Sequence, residues 1–267
     1  MNIITLTTDF GVADWFAGTM KGVILGIAPR ATIVDISHGI ASGDVRAGAF
    51  ALAATYRHFP RNTIHVAVVD PGVGSGRPAI AVKTADYFFV GPDNGILSLA
   101  LSREKIKTIR RLENDSFFNR PVSHTFHGRD VFAPVAAHLN RGVPIQKLGP
   151  KVNEYVRLNW PVPKRRPGKI HGEIVYIDQF GNAITNIDAQ DLAAKHSRGW
   201  EVRAKRKRLG TLQPYYEAVP LHSPTAVIGS TGLLEIAVNG GSAAASFGLK
   251  IGDRVTVTVR DVANLWD

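Results

Sequence analysis

"NTIHVAVVDPGVGSGR" (residues 62–77) decides the architecture. Its first nine residues read as a strand that ends at Asp70. Pro71 and the glycines at 72, 74 and 76 then make a bare loop that runs to Arg77. Working back to the N-terminus, "IITLTTDF" (3–10) reads as a buried strand. "DWFAGTMKGVILGIAP" (14–29) has helical spacing and stops at Pro29. "ATIVDISH" (31–38) is a second strand, and "GDVRAGAFALAATYRHFP" (43–60) is a helix that ends before Pro60. The order β-α-β-α-β predicts a mainly parallel sheet covered by helices. Working forward, "AIAVKTADYFFVGPDNG" (79–95) reads as two short strands with a turn near Ala85-Asp86. "RDVFAPVAAHLNRG" (129–142) is a helix with Pro134 in an early turn and Gly142 as its stop.

The pattern changes after "VPKRRPGK". Pro161, Pro163 and Pro167 with four basic residues read as a linker, 161–169. Beyond it strand periodicity dominates: "KIHGEIVYID" alternates, and "RVTVTVRDV" (254–262) puts Val255, Val257 and Val259 on one face. The expected organisation is an N-terminal α/β domain over 1–160, the linker, and a smaller antiparallel barrel or sandwich over 170–267.

Composition excludes several classes. The chain has 267 residues, 45% of them hydrophobic and 20% charged, which is ordinary globular composition. With no cysteine, disulfides, thiolate nucleophiles and cysteine-ligated metals are out. No apolar run approaches the roughly 20 residues of a membrane helix, and the N-terminus has no basic region or cleavage site, so a cytoplasmic protein is expected. A formal net charge of +10 raises the question of nucleic acid. The excess sits in "PKRRPGK" and "RAKRKR" (203–208) with little aromatic interleaving, so a solvated charged surface is preferred. There is no GxGxxG after the first strand, no GxxxxGK[ST], no HExxH and no His/Asp spacing of a metal site. Dinucleotides and nucleoside triphosphates are disfavoured, and neither metal nor cofactor is expected.

Aspartates stand where strands end: Asp9 in "TTDFG", Asp35 in "IVDISH" and Asp70. Ligands of open α/β sheets lie outside the carboxyl ends of strands. Asp9 and Asp70, each followed by glycine within two residues, are therefore read as functional. Asp35 can equally be structural. "FHGRD" (126–130) puts His127 at a helix start beside Gly128. "GPDNG" (91–95) reads as a tight turn. "IDQFGNAITNI" (177–187) gathers Asp178, Gln179, Asn182, Thr185 and Asn186 around Phe180, a composition suited to a nucleoside or, equally, to a polar hairpin.

"TTDFG", "VVDPGVGSGR", "GPDNG", "FHGRD", "IDQFGNAITNI" and "GSTGLLEIAVNGGSA" occur in that order. The set resembles the S-adenosyl-L-methionine hydrolase (hydroxide adenosyltransferase) family, relatives of the S-adenosylmethionine-dependent fluorinase and chlorinase, over essentially the whole chain. The resemblance implies an N-terminal α/β domain, a C-terminal β-barrel, and homotrimers with each site between the N-terminal domain of one subunit and the C-terminal domain of the next. It implies hydrolysis of S-adenosylmethionine to adenosine and L-methionine by attack at ribose C5′. The hydrolases' Asp-Arg-His set falls on Asp70, Arg77 and His127, with His127 cationic or hydrogen-bonding. Asp9 matches the carboxylate on the ribose hydroxyls, and Phe180 and Tyr215 match aromatic packing around adenine. Asp178 matches the group on the methionine amine, and Asn182 and the Val238 backbone match adenine contacts. Ser230, with Glu235 in the same motif, lies at the methionine end. Thr231 stands where the halogenases have an arginine, and Gly128 where the fluorinase has a halide-contacting serine. Both departures argue against the alternative, halogenation. A non-catalytic adenosine- or nucleic-acid-binding protein is the other reading left open.

Overall fold

The computed structural model describes residues 3–193, 199–205 and 207–259. The last three residues of the expected strand 254–262 and one residue of the basic run 203–208 lie outside them. The chain divides into two compact units, residues 1–158 and 159–267.

Unit 1 is built on a seven-stranded sheet in the order β2-β1-β3-β5-β4-β6-β7. The strands are β1 (Ile3–Thr8), β2 (Thr32–Ser37), β3 (Ile64–Val68), β4 (Ala79–Thr84), β5 (Phe88–Pro92), β6 (Ile106–Arg111) and β7 (Lys151–Val152). The β2-β1-β3-β5 half is parallel, and the rest is antiparallel. The three-residue connection between β4 and β5 forces that change, because a parallel partner needs a long crossover. Alternation splits the sheet between two cores. Ile4, Leu6, Val66 and Val68 face α1 (Phe16–Ile27) and, further along, the late helix Ala133–Asn140. Ala67, Val69, Val82 and Phe89 face α2 (Val45–Thr55) and α3 (Ser98–Leu101). The late helix is α4, and it begins behind one π-helical turn, Gly128–Phe132. Pro134 sits in its first turn, where a missing N–H costs nothing.

Unit 2 holds eight antiparallel strands: β8 (Lys164–Arg166), β9 (Lys169–Ile177), β10 (Ala183–Asp188), β11 (Trp200–Ala204), β12 (Lys207–Thr211), β13 (Pro224–Ile228), β14 (Leu233–Val238) and β15 (Arg254–Val259), with short helices α5 (Ala189–Ala193) and α6 (Ala243–Phe247). The path β12-β11-β15-β9-β10-β14-β13 nearly closes on itself. A bridge between Leu212 and Ala226, with Gln213 N donating to Ala226 O at 2.8 Å, joins its two ends. The interior is Ile170, Ile174, Val202, Leu234, Ile236, Val255 and Val257. The basic segment expected as a linker is partly strand: Lys164–Arg166 pairs with Lys169–His171. Its charges lie on the solvent side, because the alternation that buries Ile170 and Val257 turns Lys169, His171 and Thr256 outward. His171 accordingly has its pKa lowered, first by burial and then by Lys169, Arg254, Arg166 and Lys164.

Candidate functional site

Strands β1 and β3 are parallel neighbours, with Thr8 opposite Val68, so Asp9 and Asp70 emerge at the same edge. The chain leaves β1 towards β2 on one side and returns to β3 on the other. The two aspartates thus flank a switch point of the sheet, the place where open α/β sheets leave a crevice.

The loop after β3 folds back so that Arg77 meets Asp70. Arg77 Nε donates to Asp70 Oδ1 at 2.8 Å, and Nη2 donates to Oδ2, a bidentate pair. The side chains are only 12% and 5% exposed, so the pair is shielded from solvent. Nη2 also donates to His127 Nδ1 at 2.9 Å, and the guanidinium carbon lies 5.4 Å from the centre of the Phe132 ring. Gly74 allows this approach: at φ +76° it passes beneath residue 124, and a Cβ there would overlap the His124 carbonyl oxygen. Asn94 braces the base of the loop by donating to the Val69 carbonyl at 2.8 Å. That bond gives "GPDNG" a role beyond its turn.

The contact to Arg77 fixes the state of His127. A guanidinium only donates, so Nδ1 accepts and a neutral ring carries its proton on Nε2. The cationic form considered from sequence is therefore not the one present. The pKa is lowered in agreement, first by burial and then by the Arg77 charge, with Asp70 and Asp130 pulling the other way. Nε2 has no hydrogen-bond partner among the described residues, and it remains a donor for whatever occupies the crevice.

Asp9 Oδ2 accepts from Gly43 N at 2.8 Å, so the loop after β2 holds one of its oxygens. Gly128 is buried, and a Cβ on it would lie 3.1–3.2 Å from Phe126, Met20 and Phe10. A larger residue there would have to displace this aromatic cluster.

In unit 2, Asp178 ends β9 and organises the hairpin to β10. Its Oδ1 accepts from Phe180 N at 2.9 Å and Asn182 N at 2.8 Å, and its Oδ2 from Asn182 Nδ2 at 3.0 Å. The hairpin reading and the ligand reading therefore concern the same residues. The turn holds Phe180 out, 67% exposed, and Tyr215 is 61% exposed. Ser230 is exposed at the turn between β13 and β14. The Val238 carbonyl accepts from Gly241 N at 3.0 Å. Glu235 is 5% exposed and accepts from Tyr216 Oη at 2.8 Å. Burial raises the Glu235 pKa, the Tyr216 bond lowers it, and nearby Asp178 raises it further, while the Tyr216 phenol is pushed up to about 12, first by burial. Reading the sequence singled out Tyr215 and passed over its neighbour Tyr216, which holds the buried carboxylate. Nothing in "LQPYYEAVP" separates two adjacent tyrosines until a strand places Glu235 beneath one of them.

The motif set thus resolves into two groups, one per unit. Asp70, Arg77 and His127 are in contact, with Asp9 on the same edge. Asp178 and Asn182 are in contact, with Glu235 within their field. Among the described residues no three His, Cys, Asp or Glu side chains are grouped to hold a metal ion, and no helix is long and apolar enough to cross a membrane.

A model described as the SAM hydroxide adenosyltransferase N-terminal domain matches residues 4–149, and one described as the C-terminal domain of the same family matches 172–256. The chain belongs to the SAM hydroxide adenosyltransferase family. Its fold is similar to that of a protein from Thermotoga maritima described as an uncharacterized conserved protein, with TM-score 0.90, 37% identity, and 96% of this chain and 99% of that one covered. Family relatives named (R)-S-adenosyl-L-methionine hydrolase include one from Salinispora tropica, 38% identical over 96% of this chain and 97% of its own length. Another, from Thermus thermophilus, is 36% identical over 94% and 98%. A fluorinase from Actinoplanes is more distant, 28% identical over 96% and 97%.

Proposed function

We propose that this chain hydrolyses S-adenosyl-L-methionine to adenosine and L-methionine. The observation that carries the reading is the Asp70–Arg77–His127 contact, with His127 held neutral and its Nε2–H left to the crevice. Water or hydroxide attacks ribose C5′, the C5′–S bond breaks, and the pair of electrons in that bond leaves on sulfur as the neutral thioether of methionine. One proton is released for each water consumed. His127 supplies a hydrogen bond to the attacking oxygen. Arg77 adds positive charge, and since its Nε and Nη2 are committed, only Nη1 can reach beyond the cluster. Asp70 spends both oxygens on Arg77 and acts by holding it. Fixed donors aimed at a developing negative oxygen in a shielded site are the largest class of catalytic effect.

The binding roles follow the motifs. Asp9 holds the ribose hydroxyls, Phe180 and Tyr215 cover adenine, and Asn182 and the Val238 backbone meet its edge. Asp178, Ser230 and Glu235 serve the methionine end. The site is assembled in a homotrimer from unit 1 of one subunit and unit 2 of the next. Relatives carry the (R) descriptor in their names, and the (R) sulfonium is the substrate proposed here.

Turnover in ¹⁸O-water tests the reaction. The label should appear in the 5′-hydroxyl of adenosine, with unlabelled methionine as co-product. Label elsewhere, or no adenosine, ends the proposal. With chloride added, accumulation of 5′-chloro-5′-deoxyadenosine would make the chain a halogenase instead. Mixing inactive Asp70→Ala and inactive Asn182→Ala chains tests the shared site: activity should return on subunit exchange, and verified mixed trimers that stay inactive would place the site within one chain.

A further inference from the structure

One buried network at the same edge is untouched by this chemistry. Thr8 precedes Asp9 and is fully buried. Its Oγ1 accepts from Phe10 N at 3.2 Å and lies 2.7 Å from His38 Nδ1. Among the described residues the only acceptor within reach of the hydroxyl proton is His38 Nδ1, so we assign Thr8 as the donor, the tautomer that leaves no buried proton unpaired at Thr8. The His38 proton is then on Nε2, 3.1 Å from Asp35 Oδ1 at an angle too poor for a full hydrogen bond. Asp35 Oδ2 accepts from Lys21 Nζ of α1 at 2.5 Å. Burial pushes the Asp35 pKa up, but the Lys21 bond and the nearby His38 ring bring it below the ordinary carboxylate value.

On that assignment the bonds run from Phe10 N through Thr8 to His38 and from Lys21 to Asp35. The loop that carries His38 also grips the segment around Asp9 twice more. Gly11 N donates to His38 O at 2.8 Å, and Gly43 N donates to Asp9 Oδ2. Three contacts from one loop therefore converge on residues 8–11. One Asp9 oxygen is tied to that loop, and Oδ1 has no hydrogen-bond partner among the described residues. Where Oδ1 points depends on where the 38–43 loop sits, and that depends on His38.

We propose that Thr8, His38, Asp35 and Lys21 are positioning residues for Asp9, a closed relay that aims its Oδ1 at the ribose hydroxyls. This rests on reading Asp9 as the ribose carboxylate. The relay touches no reacting atom. Its effect falls on substrate and adenosine affinity, which Asp9 controls, and leaves the chemical step to the Arg77 cluster.

Thr8→Val removes the hydroxyl and keeps the shape. KM and the adenosine dissociation constant should rise about 10-fold, the scale of one lost buried hydrogen bond, with kcat at saturation unchanged. Thr8→Ser should restore both constants. In an Asp9→Ala background Thr8→Val should add nothing further, because residues acting through one group are not additive. Lys21→Met, a surface change that the fold tolerates, should give a smaller rise of about 2-fold, as for an exposed ion pair. A Thr8→Val chain with lowered kcat and unchanged KM, or one whose loss persists in full without the Asp9 carboxylate, overturns the relay. If Asp9→Ala weakens adenosine binding but Thr8→Val and Lys21→Met do not, the relay alone fails. If Asp9→Ala leaves adenosine binding intact, the ribose reading fails and the relay with it.

Discussion

His127 and His38 each present an unprotonated Nδ1 to a donor and keep a proton on Nε2, yet they do different things. At His38 one end of the ring is paired with Thr8 and the other faces Asp35 Oδ1 at 3.1 Å, a close contact off the line of a hydrogen bond, with Asp35 itself anchored by Lys21. At His127 one end is taken by Arg77, and no described residue of unit 1 receives the other. A network closed at both ends can only hold backbone in place. A network open at one end delivers a donor of fixed direction to an incoming molecule. On the proposed readings, two sequences of similar character, "DISHG" and "TFHGR", thus become a brace and a reactive group.

The sharpest way to break the comparison is to remove the guanidinium. Arg77→Ala should lower the single-turnover rate with saturating S-adenosylmethionine by about 10²–10³-fold, the scale of one lost oxyanion-type donor. The adenosine dissociation constant should hardly change, since the product no longer carries the attacking water as a nucleophile. Asp70 would be left buried without its partner, so circular dichroism must confirm folding. Arg77→Lys should rescue only partly, because a point charge cannot hold Asp70 and His127 together. An unchanged rate for Arg77→Ala would reduce the open network to another brace.

A smaller effect follows from protonation. The His127 pKa is lowered in the folded protein, so the neutral ring persists below the ordinary histidine value of about 6.5 and is lost only on further acidification. Once protonated, Nδ1 cannot accept from Arg77. The single-turnover rate should therefore hold steady through about pH 6.5 and fall only on further acidification, by up to about 10-fold per unit once the folded pKa is passed. Stability linked to this group has the same sign: full above the unfolded pKa and lost as pH falls towards the folded one. His65 moves in the same direction, buried among aromatic rings and pushed down to about 3, so folding must be followed alongside activity. A rate that rises on acidification would mean that the cationic ring is the active form.

The comparison also shows what a sequence can disclose. The parallel half of the sheet was legible, because β1, α1, β2, α2 and β3 each carry their own periodicity and stops. The antiparallel half, β4 to β7, followed only where a tight turn forced it. Asp70 and Arg77 were legible as a pair because one short glycine loop joins them. Their link to His127, 50 positions later, emerged from the family motifs, and its protonation state from the direction of one hydrogen bond. Thr8 and His38 were not legible. Threonine in a strand and histidine at its end are unremarkable in type, and their contact depends on the register of β1 against β2, which no local pattern states. Gly43 was hidden for another reason, since its role is carried by backbone N–H.

The outward row of cations on the barrel has a bearing on encounter. Lys164, Arg166, Lys169 and Arg254 surround His171, and no carboxylate is paired with any of the four among the described residues. The chain as a whole carries +10, while S-adenosylmethionine has a net positive charge, and adenosine and methionine are neutral overall. Long-range repulsion therefore slows the approach of substrate and leaves the departure of products unaffected. On the binding roles proposed above, capture is left to short-range groups, Asp178 and Glu235 among them, that act only once the ligand has come within a screening length. Salt should then help this enzyme: raising potassium acetate from about 10 to 150 mM, where that length shrinks from about 30 to 8 Å, should increase kcat/KM a few-fold. A fall in kcat/KM would show that the carboxylates already govern the approach. The basic surface thus sets an ionic-strength threshold for how readily the molecule consumes a cation.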